Sequence, residues 1–334
     1  LSVNNTYLNL IKETRPCQLD LNIPFLDGTE LKLYLEIFDV FTSDFQIIRN
    51  TSEGIILDDY NPKILSYRIK GENASGVFSF LENNIVATIK YNGKAYELKG
   101  EKDGPYILFD ISDSVVSSYF ECQTENIDID LDLQTNNNPQ NNNQSTECVE
   151  MGIDTDYYTF LEFDSNCYNV VEWALAVLAG VSEIYMSELD EEVLLQARYI
   201  NVRENQDNYY NLNDCSDMLD ELGEYWTSAP LNTLLNDVDL IHLFTRKQAN
   251  GGVAWVDAIC SSNGYYKGGV SSGLNTNLSY DYPDNTPFSY NMSYVGHEIG
   301  HNFGANHTHW CGWDSDAALN FGGGAIDSCY PVEG

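Results

Sequence analysis

The chain has 334 residues, with 16 basic and 51 acidic side chains and a formal net charge of −35 when histidine is neutral. A protein that neutralises phosphates needs clustered Lys and Arg, so this balance excludes a nucleic-acid or anionic-membrane partner on electrostatic grounds. A hydrophobic content of 43% with 13% aromatic residues separates the chain from acidic disordered sequences, and its length fits about two domains.

The first part reads as β-structure. Leu31, Leu33, Leu35 and Ile37 alternate with Lys32, Tyr34 and Glu36, the period of two of a half-buried strand. Ile85 to Tyr91 and Lys94 to Leu98 flank Asn92-Gly93, a pair that tolerates the positive φ angles of a type I′ turn, so a hairpin is expected there. Residues 1–122 are therefore expected to form a β-rich, mostly antiparallel domain. Residues 123–148 change composition, from the acidic run Glu125 to Asp130 to the tract Asn136-Asn137-Asn138-Pro139-Gln140-Asn141-Asn142-Asn143. That segment has too little apolar surface to offset its ordering entropy and reads as an exposed linker. Lys102 is the last basic residue before Arg198, so trypsin-like or furin-like proteases find no site in it.

From 149 to 334 strands and helices alternate. The pattern predicts strands over Tyr157 to Phe163, Val193 to Val202 and Val238 to Thr245, and helices over Tyr168 to Met186 and Cys215 to Trp226. The β-α-β-α-β order predicts a mixed, largely parallel sheet with helices packed on it. Gly251 to Val256 is a further short strand whose glycines suit close approach of another backbone, which assigns it to an edge. Thr286-Pro287 is expected to open a last helix, with Thr286 as its cap. The longest apolar run, Val170 to Val181, is roughly a dozen residues and contains Glu172, so no membrane span is expected.

That last helix carries His297-Glu298-Ile299-Gly300-His301-Asn302-Phe303-Gly304-Ala305-Asn306-His307. Side chains four apart lie on one helical face, so His297 and His301 can converge on one metal ion. Gly304 allows a left-handed turn at the helix end, which would bring His307 back as a third ligand. Three neutral imidazoles suit Zn2+ with a fourth position left open, as in catalytic sites. Glu298, beside the first ligand, is the candidate general base for a metal-activated water.

At these residues the sequence resembles the metzincin zinc metallopeptidases, in particular the reprolysin-like (adamalysin, M12B-type) secreted proenzymes. The resemblance covers about Val149 to Gly334. It implies an α/β (α+β) zincin-like catalytic domain: a mixed five-stranded sheet, an active-site helix beneath the cleft, and an edge strand that takes substrate as an extra antiparallel strand. Here Gly252, Val253 and Ala254 would offer the backbone contacts. Protein or peptide substrates and one catalytic Zn2+ follow from the resemblance. Thr308 stands where animal members usually carry Asp, and His309-Trp310-Cys311 is closer to microbial members. The methionine turn of the family has no counterpart, since the last methionine is Met292, so truncation before that turn is expected.

By position, residues 1–122 resemble the propeptides of such zymogens, which makes the chain's own propeptide an intramolecular inhibitor. Cys122, in Phe120-Glu121-Cys122-Gln123-Thr124, is the candidate inhibitory thiolate; a disulfide to Cys17 is the competing reading. Eight cysteines without a C-x-x-C pair suit an exported, disulfide-using protein whose leader is already absent, and Cys311 with Cys329 is the favoured bridge. Seven N-x-[S/T] sequons add little weight to export in so Asn-rich a chain. His242 and His309 read as structural. The acidic excess allows a Ca2+ site, although the sequence has no D-x-[DN]-x-[DN]-G loop. The expected function is a latent, secreted zinc endopeptidase. The alternative is a catalytically silent zinc-binding adhesion or binding protein, against which the intact Glu298 speaks.

Overall fold

A computed structural model describes residues 1, 4–71, 73–101, 104–114, 121–124, 146–259, 261–275 and 286–308. Helix α1 (Asn5–Thr14) leads into nine strands: β1 (Gln18–Pro24), β2 (Glu30–Phe38), β3 (Phe41–Thr51), β4 (Gly54–Asp58), β5 (Leu65–Lys70), β6 (Ala74–Phe80), β7 (Asn84–Tyr91), β8 (Lys94–Glu101) and β9 (Ile107–Asp110). After the undescribed 125–145 come β10 (Glu147–Thr155), α2 (Tyr157–Glu162), α3 (Cys167–Glu188), β11 (Val193–Arg203), α4 (Cys215–Thr227), β12 (Leu240–Phe244), β13 (Gly252–Ala254), β14 (Gly268–Ser271) and α5 (Ser289–Asn302).

Seven strands form an antiparallel sheet in the order β1-β2-β5-β6-β7-β8-β9. The hairpin expected at Asn92-Gly93 is there, with φ of 49° and 76° at the two turn residues. One face of this sheet presents Leu33, Leu35, Tyr67, Ile69, Phe78, Phe80, Ala87 and Ile89 to a core closed by Leu8 and Ile11 of α1. Because side chains alternate along a strand, the opposite face carries Arg68, Val77, Val86, Glu97 and Lys99, all buried as well. A second layer therefore covers it.

That layer is α3 with α5. In α3, 16 of 22 residues are buried, and the helix is apolar nearly all round. Such a helix needs cover on every side. Its length and composition alone would let it cross a bilayer, which corrects the dozen-residue limit read from sequence, yet 83% of its most apolar window is buried inside the fold. A Cβ at Gly180 would sit 2.2 Å from the Met292 sulfur, so the glycine lets α5 cross α3 closely.

The second sheet has the order β13-β14-β12-β10-β11-β3-β4. Five of its strands come from 147–271 and form a mixed sheet: β14, β12, β10 and β11 are parallel, and β13 runs antiparallel at the edge. The hairpin β3–β4 extends it from the N-terminal half, with β3 parallel to β11. The boundary expected at 122 thus separates two stretches of sequence that share one sheet.

Two secondary-structure expectations and one disulfide reading are corrected. Residues 157–162 are helical because the Asp156 carboxylate accepts the Thr159 N–H at 3.0 Å and caps a helix; the strand lies just upstream, at 147–155. The last helix begins at Ser289, with Phe288 and not Thr286 in the cap position. Among the described residues Cys17, Cys122, Cys148, Cys167 and Cys215 are free thiols, which removes a Cys17–Cys122 disulfide. The Cys311–Cys329 bridge, Cys260, His309, most of the linker and the expected truncation lie outside the described residues.

Arg68 donates to Glu183 of α3 at 2.8 Å, with side chains only 8% and 5% exposed. Removing one partner of a buried pair leaves an uncompensated charge. Arg68→Ala is expected to cost roughly 3–5 kcal/mol in urea denaturation, and the double change Arg68→Met with Glu183→Leu far less. His242 in β12 is fully buried, with Nε2 2.9 Å from the Ser271 hydroxyl, and burial lowers its pKa to about 3. The unfolded imidazole, near pKa 6.5, takes a proton the folded one refuses, so stability present above that value is lost as pH falls toward 3. At pH 5 the loss is about 2 kcal/mol relative to pH 7.5, and denaturation at the two pH values should find it absent in His242→Gln.

Candidate metal centre

At the start of α5 the N–H groups of Tyr290 and Asn291 bond the carbonyls of Pro287 and Phe288, while the cap residue Phe288 offers no side-chain hydrogen bond to the groups before them. Glu97 of β8 supplies the cap: its two carboxylate oxygens accept the N–H of Phe288 at 2.8 Å and of Ser289 at 3.1 Å. Lys99, 3.2 Å from Glu97 and equally buried, donates to the Thr286 carbonyl at 3.1 Å. A carboxylate at this end also answers the helix dipole.

At the other end Asn302 donates from its amide to the carbonyls of Trp255 at 2.9 Å and Gly268 at 3.0 Å, fixing the helix to the edge of the second sheet. Gly304 has φ +90° and donates its N–H to the His301 carbonyl at 2.8 Å, so the chain turns back as the motif requires. His297 Nε2 then lies 3.2 Å from His307 Nε2 and 3.1 Å from His301 Nε2. His301 Nδ1 is 2.6 Å from the Ala305 carbonyl, a contact that puts the proton on Nδ1 and leaves the Nε2 lone pair facing the other rings.

Cys122 completes the group: its sulfur is 3.3 Å from His301 Nε2, and the ligand atoms of Cys122, His297, His301 and His307 all lie within 4.8 Å of one another. Tetrahedral coordination with Zn–N near 2.0–2.1 Å sets neighbouring nitrogens about 3.3–3.4 Å apart. The spacing of this donor set fits zinc. Although His297 as a residue is exposed, desolvation of its ring, followed by repulsion from His301 and His307, lowers its pKa, so its imidazole is neutral at pH 7, the form that binds metal.

Residues 121–124 reach the site along the edge strand. Gly252 donates to the Glu121 carbonyl at 3.0 Å and accepts from Gln123 N–H at 2.9 Å, and the bridge is parallel. Gly251, at φ +110°, has no room for a side chain, since a Cβ would sit 1.9 Å from the Glu121 oxygen. Gly252 leaves space for Glu298 in turn: a Cβ there would be 2.5 Å from Glu298 Oε1. Of the three residues proposed for backbone contacts, Gly252 and Ala254 meet this segment, while Val253 pairs with Val270 of β14.

Glu298 is fully buried, and desolvation pushes its carboxyl well above the usual range despite hydrogen bonds from Cys122 and Thr124. The Thr124 hydroxyl accepts the Ala254 N–H at 3.2 Å and donates to Glu298 Oε2 at 3.4 Å. Burial, and then the charge of Glu298, push the Cys122 thiol up. Thr124 and Glu97 were given no role from sequence, whereas the glycines at 251 and 252 signalled the close backbone approach. Thr124 carried a readable signal, because residues two apart in an extended segment share a face and Cys122 already pointed to the site.

Residues 173–308 match the sequence model of the metallo-peptidase family M12B, reprolysin-like. The fold is similar to the crystal structure of metalloproteinase-II from Bacteroides fragilis, with a TM-score of 0.51 over 89% of this chain and 85% of that one, at 10% sequence identity. Comparison with curated proteins returns no match. The histidine cluster and the buried carboxylate beside it fall within residues 173–308, the part of the chain that is similar to the reprolysin-like metallo-peptidases of family M12B.

Proposed function

We propose that the chain is an exported zinc endopeptidase held latent by its own residues 121–124. The observation that carries this reading is the Cys122 sulfur within the same cluster as the three imidazoles, next to a buried glutamate. Zinc bound at His297, His301 and His307 supplies Lewis acidity toward a water and a peptide carbonyl. Glu298 takes the proton of that water on a carboxylate oxygen and delivers it to the departing amide nitrogen. The outward N–H and C=O of Gly252 and the N–H of Ala254 hold a peptide by the middle of its backbone, which favours an endopeptidase over an enzyme that grips a chain terminus.

Latency is supported twice over by the segment 121–124. The Cys122 thiol faces the fourth ligand position, and the Thr124 hydroxyl engages both the base and the Ala254 N–H that a substrate would use. Export rests on the latch itself, because a peptidase kept silent by its own chain is suited to release before activation. It is checked by recovering the protein outside the cells that make it.

The test is chelator-sensitive cleavage of an unfolded protein. Cys122→Ser is expected to raise activity over the parent, and adding Thr124→Val to raise it further. Glu298→Ala on the Cys122→Ser background should lower the rate by roughly 10²- to 10⁴-fold, the usual contribution of a general base. Metal analysis should find one zinc per chain in the parent and none in His301→Ala. In the parent, Cys122 should react with a thiol reagent only after the chelator is added. A Cys122→Ser protein that binds zinc and stays silent would instead favour a metal-binding adhesion protein.

A further inference from the structure

Residues 4–114 are built into the peptidase fold at three independent places. β3 is a full member of the second sheet, paired with β11 from Gln46↔Tyr199 to Asn50↔Arg203. Its removal would leave β11 an open edge with a row of unpaired N–H and C=O groups. Ile47 and Ile48 of β3 are fully buried in the same core as β10, β11 and α3. The hairpin also ties down the far end of β11, where Arg49 donates to Glu204 at 2.5 Å and Asn50 to the Tyr225 hydroxyl of α4 at 2.9 Å.

The second place is α3. Its two buried acids are both answered from the N-terminal half: Glu183 by Arg68, and Glu172 by the Tyr60 hydroxyl at 3.0 Å and the Lys63 N–H at 2.6 Å. Stripping away that half would leave both carboxylates without these partners on a helix whose buried residues are otherwise almost all apolar. The third is α5, the helix that carries His297, Glu298 and His301. Glu97 caps its first turn from β8, with Lys99 buried beside it.

We infer that residues 4–114 are a constitutive part of the peptidase that stays bound after the chain is cut, and that the removable element is confined to the latch at 121–124. This departs from the detachable propeptide that the family resemblance implies. Severing the chain between 125 and 145 then yields a two-piece enzyme, in which the N-terminal piece completes the second sheet and holds the first turn of the zinc helix.

The experiment introduces the recognition sequence of a site-specific protease within 136–143 of the full chain carrying Cys122→Ser, and cuts the folded protein with chelator present. Neither the thiol nor a metal ion can then hold the pieces together. The expected result is co-elution of both pieces on native size exclusion at the volume of the uncut chain, with separation only in denaturant. After the chelator is removed and zinc restored, the nicked protein should cleave unfolded protein at the rate of the uncut Cys122→Ser chain. Separate elution of the N-terminal piece in native buffer overturns the inference. The elution arm needs no activity, so a silent activity arm beside intact co-elution would count against the peptidase reading alone.

Discussion

A helix without a polar face can persist in water only if something covers every side of it, and α3 imposes that requirement on the whole molecule. The parallel strands β10 and β11 cover one side, the antiparallel sheet covers the opposite one, and α5 fills the flank where Gly180 has no side chain to block it. The zinc helix therefore takes its place from a packing problem posed some hundred residues upstream. The β-rich half of the chain is the other wall of the same core, and its buried charges occur where α3 carries Glu172 and Glu183.

The metal centre follows from this placement. With one end of α5 held by a carboxylate from β8 and the other by Asn302 against β13 and β14, His297 and His301 lie directly beside the edge strand. The edge strand and the histidine cluster are thus fixed by one rigid connection, which the proposed chemistry needs if Glu298 and a bound metal are to act on the same peptide bond. The proton that His301 Nδ1 shares with the Ala305 carbonyl adds the orientation a ligand ring needs.

What could be read in the sequence was local. The hairpin at Asn92-Gly93, the helices near 168–186 and 215–226, and the convergence of His297 with His301 depend on residues within a few positions of each other, and periodicity reports them directly. The Gly251-Gly252 pair announced a close backbone approach and has one, although the approaching chain is this protein's own. The strand expected at 157–163 failed because a short apolar run cannot distinguish strand from helix, and the cap at Asp156 decided it. Pairing of β3 with β11 and capping of α5 by Glu97 were invisible for a different reason. They join residues about 150 to 190 positions apart, for which a single sequence carries no periodic signal.

The direction of the segment at the edge strand has a consequence for how the latch ends. It lies parallel to β13, whereas the strand that the resemblance implies for a substrate runs the opposite way. In a reversed backbone the amide and carbonyl trade places along the chain. A parallel segment would thus offer its amide and carbonyl groups in the opposite order to the antiparallel substrate that the resemblance implies. Under the proposed latency, a segment of this polarity would not be a substrate for the site it covers, and its release would depend on a second agent.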